Sequence, residues 1–249
     1  MNGDWGEPPA LELRELAAGY GRIEVLHGID VVAPRGSVIA LLGLNGAGKT
    51  TTLSAIAGLI PLMRGEVYLH GCPISGLSAY ERTRSGIVLI PEGRSVFPSL
   101  TVRENLDLVA RAADCHDAER EARMAEVLDT FPRLGERLSQ AAGTLSGGEQ
   151  QMLAMSRAFL STADVLLMDE ISMGLAPQLV ESLFDAVARL RAQGKTIVLV
   201  EQFLTYALRF ADICYVLTKG GISFIGDAGE LRSGAAGELL HMGDAAALT

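Results

Sequence analysis

Apolar and polar positions along this chain follow two periods that alternate. Four compact apolar runs, Val38 to Leu42, Ile87 to Ile90, Val165 to Met168 and Thr196 to Val200, have the length of strands buried on both faces. Between them, Thr51 to Leu59 and Pro177 to Arg191 carry apolar residues at helical spacing. Strand and helix in alternation imply an α/β fold with a parallel sheet covered on both faces. Leu11 to Ala18 mixes apolar and charged residues and reads as an edge strand ending at Gly19-Tyr20-Gly21. Ile29 to Ala33 is a second strand, closed by the turn Pro34-Arg35-Gly36. Gly65 to Leu69 alternates like another strand, and Ser78 to Arg84 is a short polar helix. The last strands expected are Ile213 to Leu217 and Ile222 to Ile225, followed by a tail of small residues.

One block breaks the alternation. From Thr101 to about Ser139 the pattern is helical and highly charged, opened by the capping box Thr101-Val102-Arg103-Glu104. It contains no strand signal, so it reads as a helical insertion in the α/β core. Most of its charges belong to a solvated helix face. A second capping box, Ser146 with Glu149, opens a helix that buries Met152, Met155 and Phe159.

The chemistry concentrates where strands end. The first such place is Gly43-Leu44-Asn45-Gly46-Ala47-Gly48-Lys49-Thr50-Thr51, between the run Val38 to Leu42 and the helix that follows. Its first eight residues fit the glycine-rich loop that cradles a nucleotide's phosphates, and strand, loop and helix come in the required order. Glycines let backbone N–H groups turn toward an anion, Lys49 reaches the β- and γ-phosphates, and the Thr50 hydroxyl takes a place on Mg²⁺. The chain uses lysine only at 49, 195 and 219. Keeping one here suits a compact ammonium facing phosphate.

Three further places qualify. Asp169-Glu170 ends a buried strand, where acids are costly without charged partners; Asp169 fits a Mg²⁺ ligand and Glu170 a group that activates water for attack on a γ-phosphate. Glu92, in the loop Pro91-Glu92-Gly93-Arg94 after another buried strand, falls at the ligand-binding edge of the sheet. Leu145-Ser146-Gly147-Gly148-Glu149 puts two glycines in a helix's first turn, where bare N–H groups make a second anion site. Tyr20, on a glycine-flanked turn, is either an ordinary turn residue or a ring that stacks on a base.

Composition narrows the class. The 249 residues are 49% hydrophobic, enough for a sizeable core, and the net charge of −9 argues against nucleic acid as a partner. No apolar run approaches the ~18 residues of a membrane span, and Met1 to Pro9 lacks a signal-peptide pattern. The three cysteines, Cys72, Cys115 and Cys214, lack metal-ligand spacing and suit reduced thiols.

Taken together, Tyr20 to about Gly226 resembles the ATP-binding cassette proteins, the motor subunits of ABC transporters. The specific element is Leu145-Ser146-Gly147-Gly148-Glu149-Gln150 upstream of Asp169-Glu170. The resemblance implies a single cassette over residues 1–249 with the P-loop NTPase fold: a parallel-sheet core, N-terminal antiparallel β strands and a helical subdomain inserted at about 96–160. It implies MgATP held by the Lys49 loop, with adenine stacked on Tyr20 and Mg²⁺ near Thr50, Asp169 and Glu92. It further implies catalysis by Glu170, Lys49 and Gln202, and a head-to-tail dimer in which Leu145 to Glu149 contact the partner's ATP. The segments Pro91 to Pro98 and Gly174 to Pro177 are similar to branched-chain amino acid importers. Glu92 stands where most cassettes carry glutamine, and Gln202 where most carry histidine. The partners implied are a second cassette, integral permease subunits and, indirectly, a solute-binding protein, with the chain on the cytoplasmic face of the membrane. Alternatives are a lipid or lipopolysaccharide export cassette and a soluble cassette ATPase without a transport role.

Overall fold

The computed structural model describes residues 7–93, 95–113, 115–201 and 204–233. The chain opens with β1 (Leu11–Tyr20), β2 (Ile23–Ala33) and β3 (Val38–Leu42), then α1 (Lys49–Ile56), β4 (Leu62–Leu69), β5 (Cys72–Pro73), α2 (Ala79–Arg84) and β6 (Ile87–Ile90). Four helices follow: α3 (Val102–Ala112), α4 (Asp117–Thr130), α5 (Pro132–Gly135) and α6 (Gly147–Leu160). The last part contains β7 (Val165–Asp169), α7 (Pro177–Ala192), β8 (Thr196–Val200), α8 (Leu204–Phe210), β9 (Ile213–Thr218), β10 (Gly221–Gly226) and α9 (Ala228–Ser233).

The strands form two sheets. One has the order β10-β9-β3-β8-β7-β6; its pairs from β9 to β6 are parallel, and β10 adds an antiparallel edge. The other is antiparallel, in the order β2-β1-β4-β5. Alternate residues of the parallel strands serve different layers, as a period of two requires. On β7, Leu166 and Met168 join Met155, Phe159, Leu183 and Phe184 on the α6 and α7 side. Val165 and Leu167 face the other way, with Leu53 and Ile56 of α1 and with Leu13 and Val67 of the antiparallel sheet. On β3, Ala40 and Leu42 meet Ala207 and Leu231 in a third cluster.

The expected edge strand is not at an edge, because β1 lies between β2 and β4. Its charges mark a solvated face: Arg14 pairs with Glu12 at 2.8 Å and stacks over the Tyr68 ring at 4.3 Å. A bulge at Glu15, whose φ is 45°, then shifts the register so that Leu16, Ala17 and Ala18 are all buried. Two helices lie where none was expected. In α8, Tyr206 and Phe210 stack on Phe184 at centroid distances of 4.9 and 5.1 Å; α9 occupies part of the small-residue tail. Among the charged helices, α3 and α4 pack on α6, and Phe131 meets Phe159 edge to face.

Candidate functional site

The phosphate-type loop spans the gap between β3 and α1 on backbone conformations that only glycine tolerates at two points. Gly43 has φ 148°, and a Cβ there would lie 2.4 Å from the Leu217 carbonyl oxygen; Gly48 has φ 110°, and its Cβ would lie 2.7 Å from Leu26 Cδ2. Gly48 is also the N-cap of α1, so no side chain caps the helix, and its first turn has no acidic residue. The amides at that end therefore face outward with a positive dipole behind them, which suits an anion. Lys49, only 5% exposed, crosses the loop and donates to the carbonyl oxygens of Gly43 at 2.8 Å and Leu44 at 3.2 Å. Burial lowers its pKa, against the raising pull of Glu170 and Asp169. Ala47 and Thr51 are buried within the loop and first turn.

Strand β7 delivers the acids to the same place. Asp169 is 2% exposed, and burial pushes its carboxyl up to about 6, assisted by the charges of Glu170 and Glu92 and opposed by the Thr50 hydroxyl and Lys49. Lys49, Thr50, Glu92, Asp169 and Glu170 thus converge electrostatically. One Asp169 oxygen, Oδ1, is buried without a hydrogen-bond partner among the described residues. An orphaned carboxylate oxygen beside a hydroxyl is a donor set that fits a hard cation such as Mg²⁺. Glu92 follows β6 and is exposed. Among the described residues no group of three acidic, histidine or cysteine side chains could hold a metal ion by itself.

Glu170 sits in the left-handed region at φ 48°, a conformation that costs an L residue about 1–3 kcal/mol. Its N–H donates to the Val200 carbonyl oxygen at 2.9 Å, extending the ladder between β7 and β8 by one residue. Two residues on, Ser172 donates its N–H and its hydroxyl to the carboxylate of Glu201, at 3.1 and 2.5 Å. Sequence reasoning missed this buried pair. Its one available signal was an acid ending the apolar run of β8, the same signal that singled out Asp169.

The second glycine-rich stretch lies at the start of α6. Ser146 is its N-cap: its Oγ accepts from the Glu149 amide at 3.4 Å, while Glu149 Oε2 accepts from the Ser146 amide at 2.9 Å. The other Glu149 oxygen pairs with Arg137 at 2.6 Å. Burial raises the Glu149 carboxyl, but its bonds to Ser146 and the Arg137 charge outweigh this and hold it below the ordinary range. Ser146 is exposed, and Gly147 partly so. Leu145 belongs to the core, and a Cβ on Gly148 would fall 2.2 Å from Leu179 Cδ1, so those two residues pack the helix start.

The profile of the ABC transporter family matches residues 26–172 of this chain. The chain belongs to that family. It is 42% identical over 212 residues to the high-affinity branched-chain amino acid transport ATP-binding protein BraG of Pseudomonas aeruginosa, covering 85% of this chain and 90% of that protein. It is 41% identical over 230 residues to the probable branched-chain amino acid transport ATP-binding protein LivF of Archaeoglobus fulgidus, covering 92% and 97%. A solved ATP-binding subunit of an ABC transporter superposes with a TM-score of 0.84 at 31% identity, over 94% of this chain and 99% of that one. These relatives make the chain an ABC ATPase cassette, and they do not favour lipid export or a soluble role. Of the remaining site residues expected for such a cassette, Tyr20 ends β1 at the β1–β2 hairpin and is 52% exposed. The same hairpin reaches the phosphate loop through Val25 and Leu26, which line Gly48. Leu44, Asn45 and Gly46 lie exposed or partly exposed at the loop's tip. Gln202 lies outside the described residues.

Proposed function

We propose that this cassette is the ATP-hydrolysing motor of an importer for branched-chain or related amino acids. The observation that carries the site assignment is the convergence of Lys49 and Thr50 with Asp169 and Glu170 at the ends of β3 and β7. The cargo class rests on the named roles of the two relatives. In this reading the α1 amides and Lys49 bind the β- and γ-phosphates, and Tyr20 stacks on the adenine. Thr50 and Asp169 would hold Mg²⁺, which would neutralise charge on the phosphates. Glu170 orients a water and accepts its proton, and Lys49 stabilises charge on the transferred group.

The second anion site answers to a second cassette. Exposed Ser146 and the first-turn amides of α6 that lack an intrahelical partner cap the partner's nucleotide when two cassettes pack head to tail. Between α2, β6 and α3 runs a groove of about 690 Å³, lined in part by Leu59, Tyr80, Val88, Pro91 and Arg111. Exposed Leu59 and Tyr80, at 60% and 70%, give it an apolar wall on which a cytoplasmic helix of a permease subunit docks. Among the described residues no helix is long and apolar enough to cross a membrane, so transport requires such subunits. The test is gentle solubilisation of native membranes followed by affinity capture of the tagged chain. Recovery of integral membrane subunits, a second cassette and an amino-acid-binding protein is the expected result. Recovery from the soluble fraction with no membrane protein would overturn the reading.

A further inference from the structure

We infer that Glu201 is a positioning residue for hydrolysis: by clamping Ser172 it holds the strained backbone of Glu170 in the geometry that water attack needs. The inference rests on the assignment of Glu170 as the base. Strands β7 and β8 run side by side with Asp169 opposite Val200, so Glu201 leaves β8 level with Glu170. The chain at Glu170 is pinned first by its own N–H on the Val200 carbonyl. It then turns through φ 48°, and it is pinned again where Ser172 gives both its donors to Glu201. A left-handed acid between two anchors persists because the anchors over-determine it. Beyond the second anchor, the turn carries the short-range bonds Met173 N–H to the Glu170 carbonyl and Leu175 N–H to the Ser172 carbonyl, at 3.2 and 3.3 Å.

The burial of the pair argues that the clamp serves more than folding. Ser172 is fully buried and Glu201 is 2% exposed. A carboxylate is a costly group to bury, and apolar neighbours of the same shape would fill the space with less penalty. What a carboxylate supplies here is two acceptor oxygens in one plane, one for each donor of a single residue, and hence a fixed orientation for the segment that carries Glu170. The two bonds join β8 to the segment after Glu170 and include no atom of the loop over residues 43–50, so their loss should act on turnover and spare affinity.

The test uses the full-length chain and measures MgATP affinity with a fluorescent analogue alongside kcat per nucleotide-binding site. Glu201→Ala is expected to lower kcat roughly 10- to 100-fold, the scale of a catalytic group displaced by about an ångström, with affinity changed less than about 2-fold. Ser172→Ala should fall less, because the amide still donates, and Glu201→Gln should retain more activity than Glu201→Ala. The double variant Ser172→Ala/Glu201→Ala should match Glu201→Ala alone, since both act through one contact. If Glu201→Ala does not fold, Ser172→Ala carries the test by the same split between kcat and affinity. An unchanged kcat, or kcat and affinity falling together with the folded fraction, would overturn the clamp. Glu170→Gln on the same preparation separates the two assignments. Turnover lost there but kept in Glu201→Ala refutes the clamp alone, whereas turnover surviving Glu170→Gln refutes the base itself.

Discussion

Helices α1 and α6 both begin on glycines, and they satisfy their first turns in opposite ways. Gly48 offers α1 no side chain, and no acid stands in that turn, so the amides are left for an outside anion while Lys49 waits beside them. At α6, Ser146 and Glu149 bond to each other's backbone, and Arg137 neutralises the carboxylate. The α1 start keeps all its first-turn amides for an outside group; the α6 start spends its Glu149 amide on its own cap and leaves those of Gly147 and Gly148 without an intrahelical partner, beside an exposed hydroxyl. A capping box thus reduces, without abolishing, the amides that a glycine-rich helix start can offer an anion.

The largest effect that would break this comparison is at the uncapped end. Lys49→Ala removes the loop's cation and should weaken MgATP binding by at least about 10²-fold, measured by equilibrium binding, as when a buried charge loses its partner. Near-parental affinity would refute the role given to the loop.

Next in size is the buried acid that faces α1. Asp169 titrates near 6 in the fold against an ordinary 3.8, so the folded state favours its proton. The cost of its charge is absent below about pH 4, grows as pH rises toward 6, and is complete above that. Asp169→Asn removes the cost. The nucleotide-free variant should therefore melt above the parent at pH 8, by about 1–3 kcal/mol at most, with the gain shrinking toward pH 4. MgATP should reverse the order, because the variant loses a metal ligand. A gain independent of pH would contradict the burial argument.

The smallest effect sharpens the contrast between caps. Ser146→Ala and Thr101→Ala each remove the N-cap of a capping box, and each should cost about 1 kcal/mol in denaturant unfolding. Only Ser146→Ala should also reduce MgATP-dependent dimerisation and turnover. Equal turnover in the two variants would reduce the Ser146 box to a helix cap.

Much of this was legible in the residues. The glycine loop between β3 and α1 could be read because its positions have backbone or charge reasons, and Val38 to Leu42, Ile87 to Ile90 and Thr196 to Val200 stand where their apolar runs placed them. The charges of β1 misled because alternation cannot tell a solvated face from an unpaired edge, and only strand pairing decides that. Leu204–Phe210 was missed because its helical character depends on ring stacking against Phe184, a contact far away in sequence. The strain at Glu170 and its anchor at Glu201 were invisible for the same reason: both depend on β7 and β8 ending side by side.

In the proposed reaction Glu170, at the end of β7, activates the water while α1 and α6 of two cassettes enclose the nucleotide. Glu170→Gln with MgATP, followed by light scattering and phosphate release on one sample, tests it most directly. Retained ATP, a trapped dimer and turnover reduced by about 10²-fold or more are expected. A monomer that binds MgATP and hydrolyses it at the parental rate would contradict it.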